Sequence, residues 1–300
     1  MKILITGCNG FVGPHLAQYV FDLGHEVYGT TRNRSDKKRV PDFVKTYECE
    51  LTDSKNTADV IALIKPDIIF HLAAQSFVHT SWKSPADTLN NNIIGELNVL
   101  EAVRKYIPDC IVQIAGSSEE YGTPESIPIT EDHPLNPLSP YGVSKVAQEK
   151  LGFQYHKSYG LSIVLTRAFN HTGLGRDLRF AEASFADQIK KGDIIKVGNL
   201  EAIRDYTDVR DMVRAYWLAA MSRCYGVPLN IATGEGHTMA EVISLLSEIA
   251  NKKVTVEQSS DRMRPSDIFV LIGDSTKFRT LTGWEPLYPF EDTLRELYNE

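Results

Sequence analysis

An apolar run, Lys2-Ile3-Leu4-Ile5-Thr6, passes directly into glycines at positions 7, 10 and 13. Few folds accommodate that order. Gly7 permits a tight turn off the strand, Gly10 lets the backbone approach a pyrophosphate, and Gly13 lets the next helix pack closely on the sheet. The helix expected over 11–23 then aims its N-terminal N–H groups and the positive end of its dipole at the phosphates. Pro14 suits the first turn of that helix, where no intrahelical N–H partner is lost. The pattern predicts a dinucleotide cradle built from Gly7, Asn9, Gly10, Phe11, Val12 and Gly13. An ordinary strand–turn–helix is the competing reading, and the strand before and amphipathic helix after the glycines favour the cradle.

Apolar runs near 2–6, 26–31, 44–48, 67–72, 110–115 and 161–166 alternate with helical stretches. This is the rhythm of βαβ units, and it predicts an α/β fold with a Rossmann-like, doubly wound parallel sheet. Beyond Phe169 the pattern loosens into Gly-rich turns, short strands and separated helices. We expect a dinucleotide-binding domain over 1–168, to which later segments return, and a smaller substrate-binding domain mainly over 169–300. The cleft would lie between them. A chain of 300 residues can bury a large core. Its formal charge of −7 offers no basic footprint for nucleic acid, so an anionic ligand must be held by local positive charge. No apolar run nears the roughly 18 residues needed to span a bilayer, and no signal peptide precedes the first strand. Cys8, Cys49, Cys110 and Cys224 are scattered without metal-ligand spacing, and the histidines show none either. The expectation is a cytoplasmic protein with reduced thiols, no metal and no membrane partner.

The strand expected over 26–31 selects the dinucleotide. An acidic residue at its tip would hold the ribose 2′-OH of NAD, whereas neutral and cationic residues accommodate the 2′-phosphate of NADP. Here the tip reads Thr30-Thr31-Arg32-Asn33-Arg34, with no carboxylate and two guanidiniums able to pair with a phosphate through forked N–H groups. A solvated basic loop is the plainer alternative, because Lys37, Lys38 and Arg39 follow. NADP(H) is the expected cofactor, with Thr31 and Arg32 at its adenosine end.

The reactive groups come later, in Tyr141-Gly142-Val143-Ser144-Lys145. Tyr141 and Lys145 sit one helical turn apart and share a face. A free tyrosine has a pKa near ~10, and a nearby ammonium favours phenolate, so the pair is expected to draw Tyr141 toward neutral pH. Such a tyrosine gives a proton to a carbonyl oxygen as hydride reaches its carbon, or takes one in reverse. The pair alone recurs by chance on helix surfaces. Here it follows a strand over 111–115 that runs out into Gly116-Ser117-Ser118-Glu119-Glu120-Tyr121-Gly122. Strand ends in such sheets face the ligand crevice, where a hydroxyl can hydrogen-bond the reacting carbonyl.

Thr6-Gly7-x-x-Gly10-Phe11-x-Gly13, His71-Leu72-Ala73-Ala74, Asn92-x-x-Gly95, the serine segment and Tyr141-x-x-x-Lys145 together resemble the extended short-chain dehydrogenases/reductases, nearly end to end. The resemblance implies Ser117, four residues before Tyr121, as the catalytic hydroxyl acting with Tyr141 and Lys145. It implies that Lys145 also touches the nicotinamide ribose and that Leu72, Ala73 and Ala74 lie beside the cofactor. It places Glu50-Leu51 near the adenine, where the family usually has Asp-Leu, and makes Asn92 a buried polar residue near the active-site helix. It further implies a homodimer in which segment 85–106 and helix 141–159 pair across a two-fold axis. The apolar Leu89, Ile93, Leu97, Val146 and Leu151 of those segments could equally be ordinary core.

Within that family, segment 196–208, Phe169-Asn170-His171 and Arg262-Met263-Arg264-Pro265-Ser266-Asp267 resemble the nucleotide-sugar branch acting on GDP-mannose derivatives. A nucleoside diphosphate sugar needs cations at its diphosphate, which Arg204 and Arg264 would supply, and Asn170 would bond a phosphate or sugar oxygen. Each arginine also reads as a surface ion pair. The resemblance adds Ser76, Ser118, Glu119, Asn199 and Asp267 to the substrate side, the last where the branch usually has Glu. Two reactions share these features: 4,6-dehydration of GDP-mannose, and NADPH-dependent reduction of the resulting C4 ketone to GDP-D-rhamnose. Glu119 occupies the position that resembles the dehydrating base at C5. The short chain, the Tyr-Gly-Val-Ser-Lys pentad, the Ser118-Glu119-Glu120 run and the lack of a Ser-Pro-Arg-Arg stretch after Asn170-His171 favour the reduction. A nucleotide-sugar epimerase is disfavoured by Thr31-Arg32. A non-catalytic dinucleotide sensor is disfavoured by the retained Ser117, Tyr141 and Lys145.

Overall fold

Six strands, most of them near-continuous buried runs rather than alternating ones, build most of one parallel sheet covered on both faces. These are β1 (Lys2–Thr6), β2 (Glu26–Thr31), β3 (Lys45–Glu48), β4 (Ile68–His71), β5 (Ile111–Ser117) and β6 (Ser162–Ala168). The computed structural model describes residues 1–33, 39–259, 262 and 268–300. Crossovers run through α1 (Val12–Asp22), α2 (Ser54–Ile64), α3 (Val78–Lys83), α4 (Pro85–Leu89), α5 (Gly95–Tyr106) and α6 (Pro140–Tyr159). A π-helical turn, Asn90–Ile94, joins α4 to α5.

The later chain contains β7 (Asn170–Thr172), α7 (Ala181–Lys191), β8 (Ile194–Val197), β9 (Ile203–Asp208), α8 (Val209–Met221) and β10 (Pro228–Ile231). It continues with β11 (Gly236–Thr238), α9 (Met239–Ala250), β12 (Thr255–Gln258), β13 (Val270–Leu271), α10 (Thr276–Thr282) and α11 (Phe290–Asn299). The main sheet has seven strands in the order β10-β6-β5-β4-β1-β2-β3. All its pairings are parallel. The strand order reverses beside β1, between β2 and β4, and the crevice beyond the carboxyl ends at such a switch point is where α/β sheets take ligands.

Burial explains the layers. Ile3, Ile5, Ile68 and Phe70 point to one face, where Leu16 and Val20 of α1 meet Met212, Ala215 and Tyr216 of α8 and Phe278 of α10. Leu4, Ile69, Val112 and Ile114 point to the other, against Val60 and Ile64 of α2, Val99 and Val103 of α5 and Tyr155 of α6. Each such valine, leucine, isoleucine, phenylalanine or methionine side chain, fully buried, contributes roughly 1.5–3 kcal/mol. A separate core joins α7, α9 and α11 through Ile189, Val242, Leu246 and Leu294.

The expected strands lie within two residues of those observed. The seventh, β10, was not singled out from the sequence: Pro228-Leu229-Asn230-Ile231 is short and starts with proline. It sits at the sheet edge beside β6, a position that tolerates proline's missing N–H. Among the described residues, no helix is long and apolar enough to cross a membrane.

Candidate active site

Gly7 adopts φ +67°, and a Cβ there would fall 2.9 Å from the Ala73 Cα. The Gly10 N–H donates to the Gly7 carbonyl at 2.9 Å, closing the turn. At Gly13 a Cβ would lie 2.5 Å from the Cys8 carbonyl oxygen, so only glycine lets α1 pack this closely. No side chain caps the start of α1, which leaves its first-turn N–H groups to a ligand. These features fit a dinucleotide pyrophosphate. They open into a cleft of about 680 Å³, within the usual range for cofactor sites.

All the expected cofactor-side residues line this cleft: the six cradle residues, Thr31, Arg32, Glu50, Leu51, Leu72, Ala73, Ala74, Tyr141 and Lys145. Buried hydrogen bonds set their positions. The Ala73 N–H donates to Thr6 Oγ1 at 3.2 Å, and that hydroxyl meets His71 Nδ1 at 3.0 Å. Asn92 accepts from the Gln75 N–H at 2.7 Å and donates to Ser144 Oγ at 2.8 Å, tying the β4 loop to α6. At the adenosine end, Glu50 from beyond β3 pairs with Arg32 at 3.1 Å. The strand tip thus faces a carboxylate that its own sequence lacks.

Ser139 and Pro140 start α6, the serine Oγ accepting from the Gly142 N–H at 3.0 Å. This puts Tyr141 in the first turn, buried, with Lys145 one turn on. Lys145 Nζ donates to the Ala115 carbonyl at 2.8 Å and lies 5.8 Å from the centre of the Tyr141 ring. The expected drop of Tyr141 toward neutral pH is corrected here. Burial pushes the phenol above its ordinary value, and the Ser117 hydroxyl offsets this only in part. Burial also lowers Lys145, with Glu96 and Glu120 opposing it.

The turn after β5 is a capping box. Ser117 Oγ accepts from the Glu119 N–H at 3.2 Å, and Glu120 Oε1 accepts from the Ser117 N–H at 2.7 Å. Burial first, then Glu149, pushes the Glu120 carboxyl up to about 8, against the pull of Arg167. Arg167 itself makes a fork to Glu149, at 2.6 and 2.8 Å.

The expected substrate residues are not gathered in one place. Ser76 lines the cleft, whereas Ser118, Glu119, Asn170, Asn199 and Arg204 are not among its lining residues. Arg204 is buried in β9, donating to the Ile203 carbonyl at 2.8 Å, and Asn199 accepts from the Glu201 N–H at 3.0 Å. Arg34, Arg264 and Asp267 lie outside the described residues.

Two cations at the cleft were not singled out from the sequence. The Arg176 guanidinium stands 3.5 Å from the Phe180 ring centre and 4.7 Å from that of Phe11, paired with Glu182 at 3.1 Å. Arg179 covers Phe77 at 5.4 Å and pairs with Asp177 at 2.9 Å. The only available signal was two arginines soon after Asn170-His171 in a Gly-containing stretch. Both bring guanidinium N–H donors to the cleft while each is paired with its own carboxylate.

The family model described as GDP-mannose 4,6 dehydratase matches residues 4–297. The chain belongs to this family. Its members are nicotinamide-dinucleotide-dependent oxidoreductases of the extended short-chain class that act on nucleotide sugars. GDP-6-deoxy-D-mannose reductase of Pseudomonas aeruginosa is 30% identical over 307 residues, covering 100% of this chain and 96% of the relative. Among solved structures, RMD from Pseudomonas aeruginosa complexed with NADPH is similar at TM-score 0.86 and 27% identity, covering 99% of this chain and 97% of that one. UDP-glucose 4-epimerase of Thermotoga maritima with UDP-glucose is similar at TM-score 0.92 and 31% identity, covering 100% and 98%. Family membership thus accounts for the whole fold, including β10, and for a nucleotide-sugar ligand. Reductase, dehydratase and epimerase all stand among the relatives' names.

Proposed function

We propose that this chain reduces the C4 ketone of GDP-4-dehydro-6-deoxy-D-mannose with NADPH, giving GDP-D-rhamnose. The reading is supported by Tyr141 and Lys145 lining the cleft and by end-to-end similarity to a GDP-6-deoxy-D-mannose reductase; Ser117 and Glu119, at the end of β5 and on the turn after it, both lie outside the cleft lining. The bound dinucleotide would supply hydride to C4. Tyr141 gives its phenolic proton to the C4 oxygen, and Ser117 orients that oxygen by hydrogen bonding. Lys145 holds positive charge beneath the phenol and grips ribose hydroxyls. Thr31 and Arg32 take the 2′-phosphate, and Glu50-Leu51 bound the adenine. Ser76, Ser118, Asn170, Asn199, Arg204, Arg264 and Asp267 are the proposed sugar-nucleotide contacts. The enzyme would work in the cytoplasm as a homodimer, with residues 1–168 mainly for the cofactor and 169–300 mainly for the substrate.

GDP-mannose 4,6-dehydration is the second reading. It is favoured by the place of Glu119 on the same turn as Ser117, whose hydroxyl accepts from the Glu119 backbone N–H, and by the name of the family. Incubation with GDP-mannose or its 4-keto-6-deoxy derivative, with and without NADPH, separates the two. Consumption of NADPH with the ketone, and no product from GDP-mannose with NADP⁺, is the expected result.

A further inference from the structure

The tyrosines buried among the described residues are Tyr28, Tyr121, Tyr141, Tyr155, Tyr206 and Tyr216. A buried phenol normally has a hydrogen-bond partner, because leaving it without one costs about 1–3 kcal/mol. Most of these find theirs within the protein. Tyr28 donates to Glu26 at 2.6 Å, Tyr121 to Asn230 at 2.7 Å, Tyr155 to Glu101 at 2.6 Å and Tyr206 to the Met239 sulfur at 3.8 Å. The other two, Tyr141 and Tyr216, are the tyrosines that line the cleft. Tyr141 faces the Ser117 hydroxyl and has its place in the proposed reaction. Tyr216 has none.

Tyr216 belongs to α8 and is only 2% exposed. Its ring packs in the core on the α1 side of the sheet, where phenylalanine would fill the same space. Among the described residues its hydroxyl has no hydrogen-bond partner, yet it is not one of the polar atoms sealed from solvent, so the opening left to this residue is the cleft. Helical side chains lean toward the start of their helix. The start of α8 lies at the cleft: Val209 Cγ1 stands 2.9 Å from where a Cβ on Gly173 would be, two residues after His171 of the lining. The phenol therefore runs up the sheet toward a ligand. α8 packs on β5 and β6, across β1 from β2 and β3, which carry the adenosine end. Tyr216 thus belongs to the other end, with Ala115, Gly116 and Tyr141. Tyr141 reaches that end from α6, on the opposite face of the sheet. Burial first, then Tyr141, raises the Tyr216 phenol above its ordinary value, so it is a neutral donor.

We propose that Tyr216 is a cofactor-binding residue whose hydroxyl donates a hydrogen bond to the carboxamide oxygen of the bound nicotinamide. The inference rests on reading the Tyr141 end of the cleft as the nicotinamide end. The pyrophosphate already has the N–H groups at the start of α1, and the ribose has Lys145. The carboxamide is the polar group of the ring still to be held. A donor on the α8 side restrains rotation of the ring, which keeps one of its faces turned toward Tyr141. Phenylalanine at position 216 keeps the shape and removes only the donor.

The test is binding, so it needs no sugar substrate and fails separately from the proposed reduction. Wild type and Tyr216→Phe are titrated by calorimetry with NADPH and with 2′-phospho-ADP-ribose, which keeps the pyrophosphate and both riboses but lacks nicotinamide. Tyr216→Phe should bind NADPH about three- to tenfold more weakly, the loss of one hydrogen bond, and bind 2′-phospho-ADP-ribose as wild type does. Its cofactor-free melting temperature should match or exceed that of wild type, because the hydroxyl has no partner in the protein to lose. Equal NADPH affinity in the two proteins would overturn the proposal. Equal losses for both ligands would also overturn it, by moving the contact to the pyrophosphate or a ribose. So would a cofactor-free melting temperature lowered by several degrees, which would give the hydroxyl a partner inside the protein. The expected binding pattern in a protein that reduces no ketone would support the Tyr216 contact and remove the proposed function alone.

Discussion

Arg32 Nε lies 3.1 Å from Glu50 Oε2, so the cation at the tip of β2 is already paired with a carboxylate beyond the end of β3. Both side chains are largely exposed, and such pairs are worth only about 0–1 kcal/mol. A dianionic 2′-phosphate can therefore take Arg32 from Glu50 at small cost, whereas a bare 2′-OH has no reason to. We predict that Arg32→Ala weakens NADPH binding about tenfold or more while changing NADH little. Glu50→Gln should tighten NADPH about two- to fivefold by releasing the guanidinium. Binding titrations with both cofactors check this, and equal losses for both in Arg32→Ala would remove Arg32 from the 2′-phosphate.

Tyr141 is buried with its phenol pushed above its ordinary value, which keeps it protonated at neutral pH and ready to donate. Tyr141→Phe should bind NADPH as wild type does and lose about 10²–10⁴ in kcat. Fluorescence titration measures the first and single-turnover kinetics the second. Near-normal turnover would exclude the tyrosine from the chemistry.

The cradle was legible because three glycines have jobs that no other residue can do, as the close approaches of Gly7 to Ala73 and Gly13 to Cys8 make explicit. Tyr141 and Lys145 were legible because helical spacing puts them on one face. Their protonation was not, because burial depends on how α5, α6 and β5 close over them, which no local pattern encodes. The same limit hid Arg176 and Arg179, whose ring contacts join residues far apart in sequence, Phe11 and Phe77 among them. β10 was obscured because a short edge strand starting with proline carries little signal of its own.

His71 links acid stability to the cleft. Its folded pKa is lowered from 6.5 to about 3, by burial first and Lys145 second. A histidine held neutral in the fold binds a proton more readily when unfolded, so stability falls as pH drops below 6.5 and the loss is complete near 3. At pH 5 the expected cost is about 2 kcal/mol. His71→Gln should flatten the dependence of Tm on pH between 6.5 and 4. An unchanged slope would assign acid unfolding to other groups.

Assembly is testable through exposed apolar residues on the two segments expected to pair. Leu97 and Leu151 pack on the protein's own core, whereas Ile94, Val143 and Phe153 remain exposed. We predict a solution mass twice 33.6 kDa at micromolar concentration, and a shift to monomer in Phe153→Glu. A wild-type monomer by light scattering would contradict the dimer.

Glu119 separates the two reactions. Its backbone N–H donates to Ser117 Oγ, so the turn that orients the reacting oxygen survives any change confined to the carboxylate. Ketone reduction needs hydride at C4 and a proton on oxygen, and neither comes from Glu119. Elimination across C5 and C6 needs a base at C5, and an amide there should cost about 10²–10⁴ in rate. We therefore predict that Glu119→Gln keeps NADPH-dependent reduction of the 4-keto sugar within about threefold of wild type, the scale of altered positioning alone. Wild-type protein given GDP-mannose and NADP⁺ should make no 4-keto-6-deoxy product. Steady formation of that product, abolished by Glu119→Gln, would make Glu119 the C5 base and the enzyme a dehydratase, while leaving the roles of Tyr141 and the glycine cradle intact.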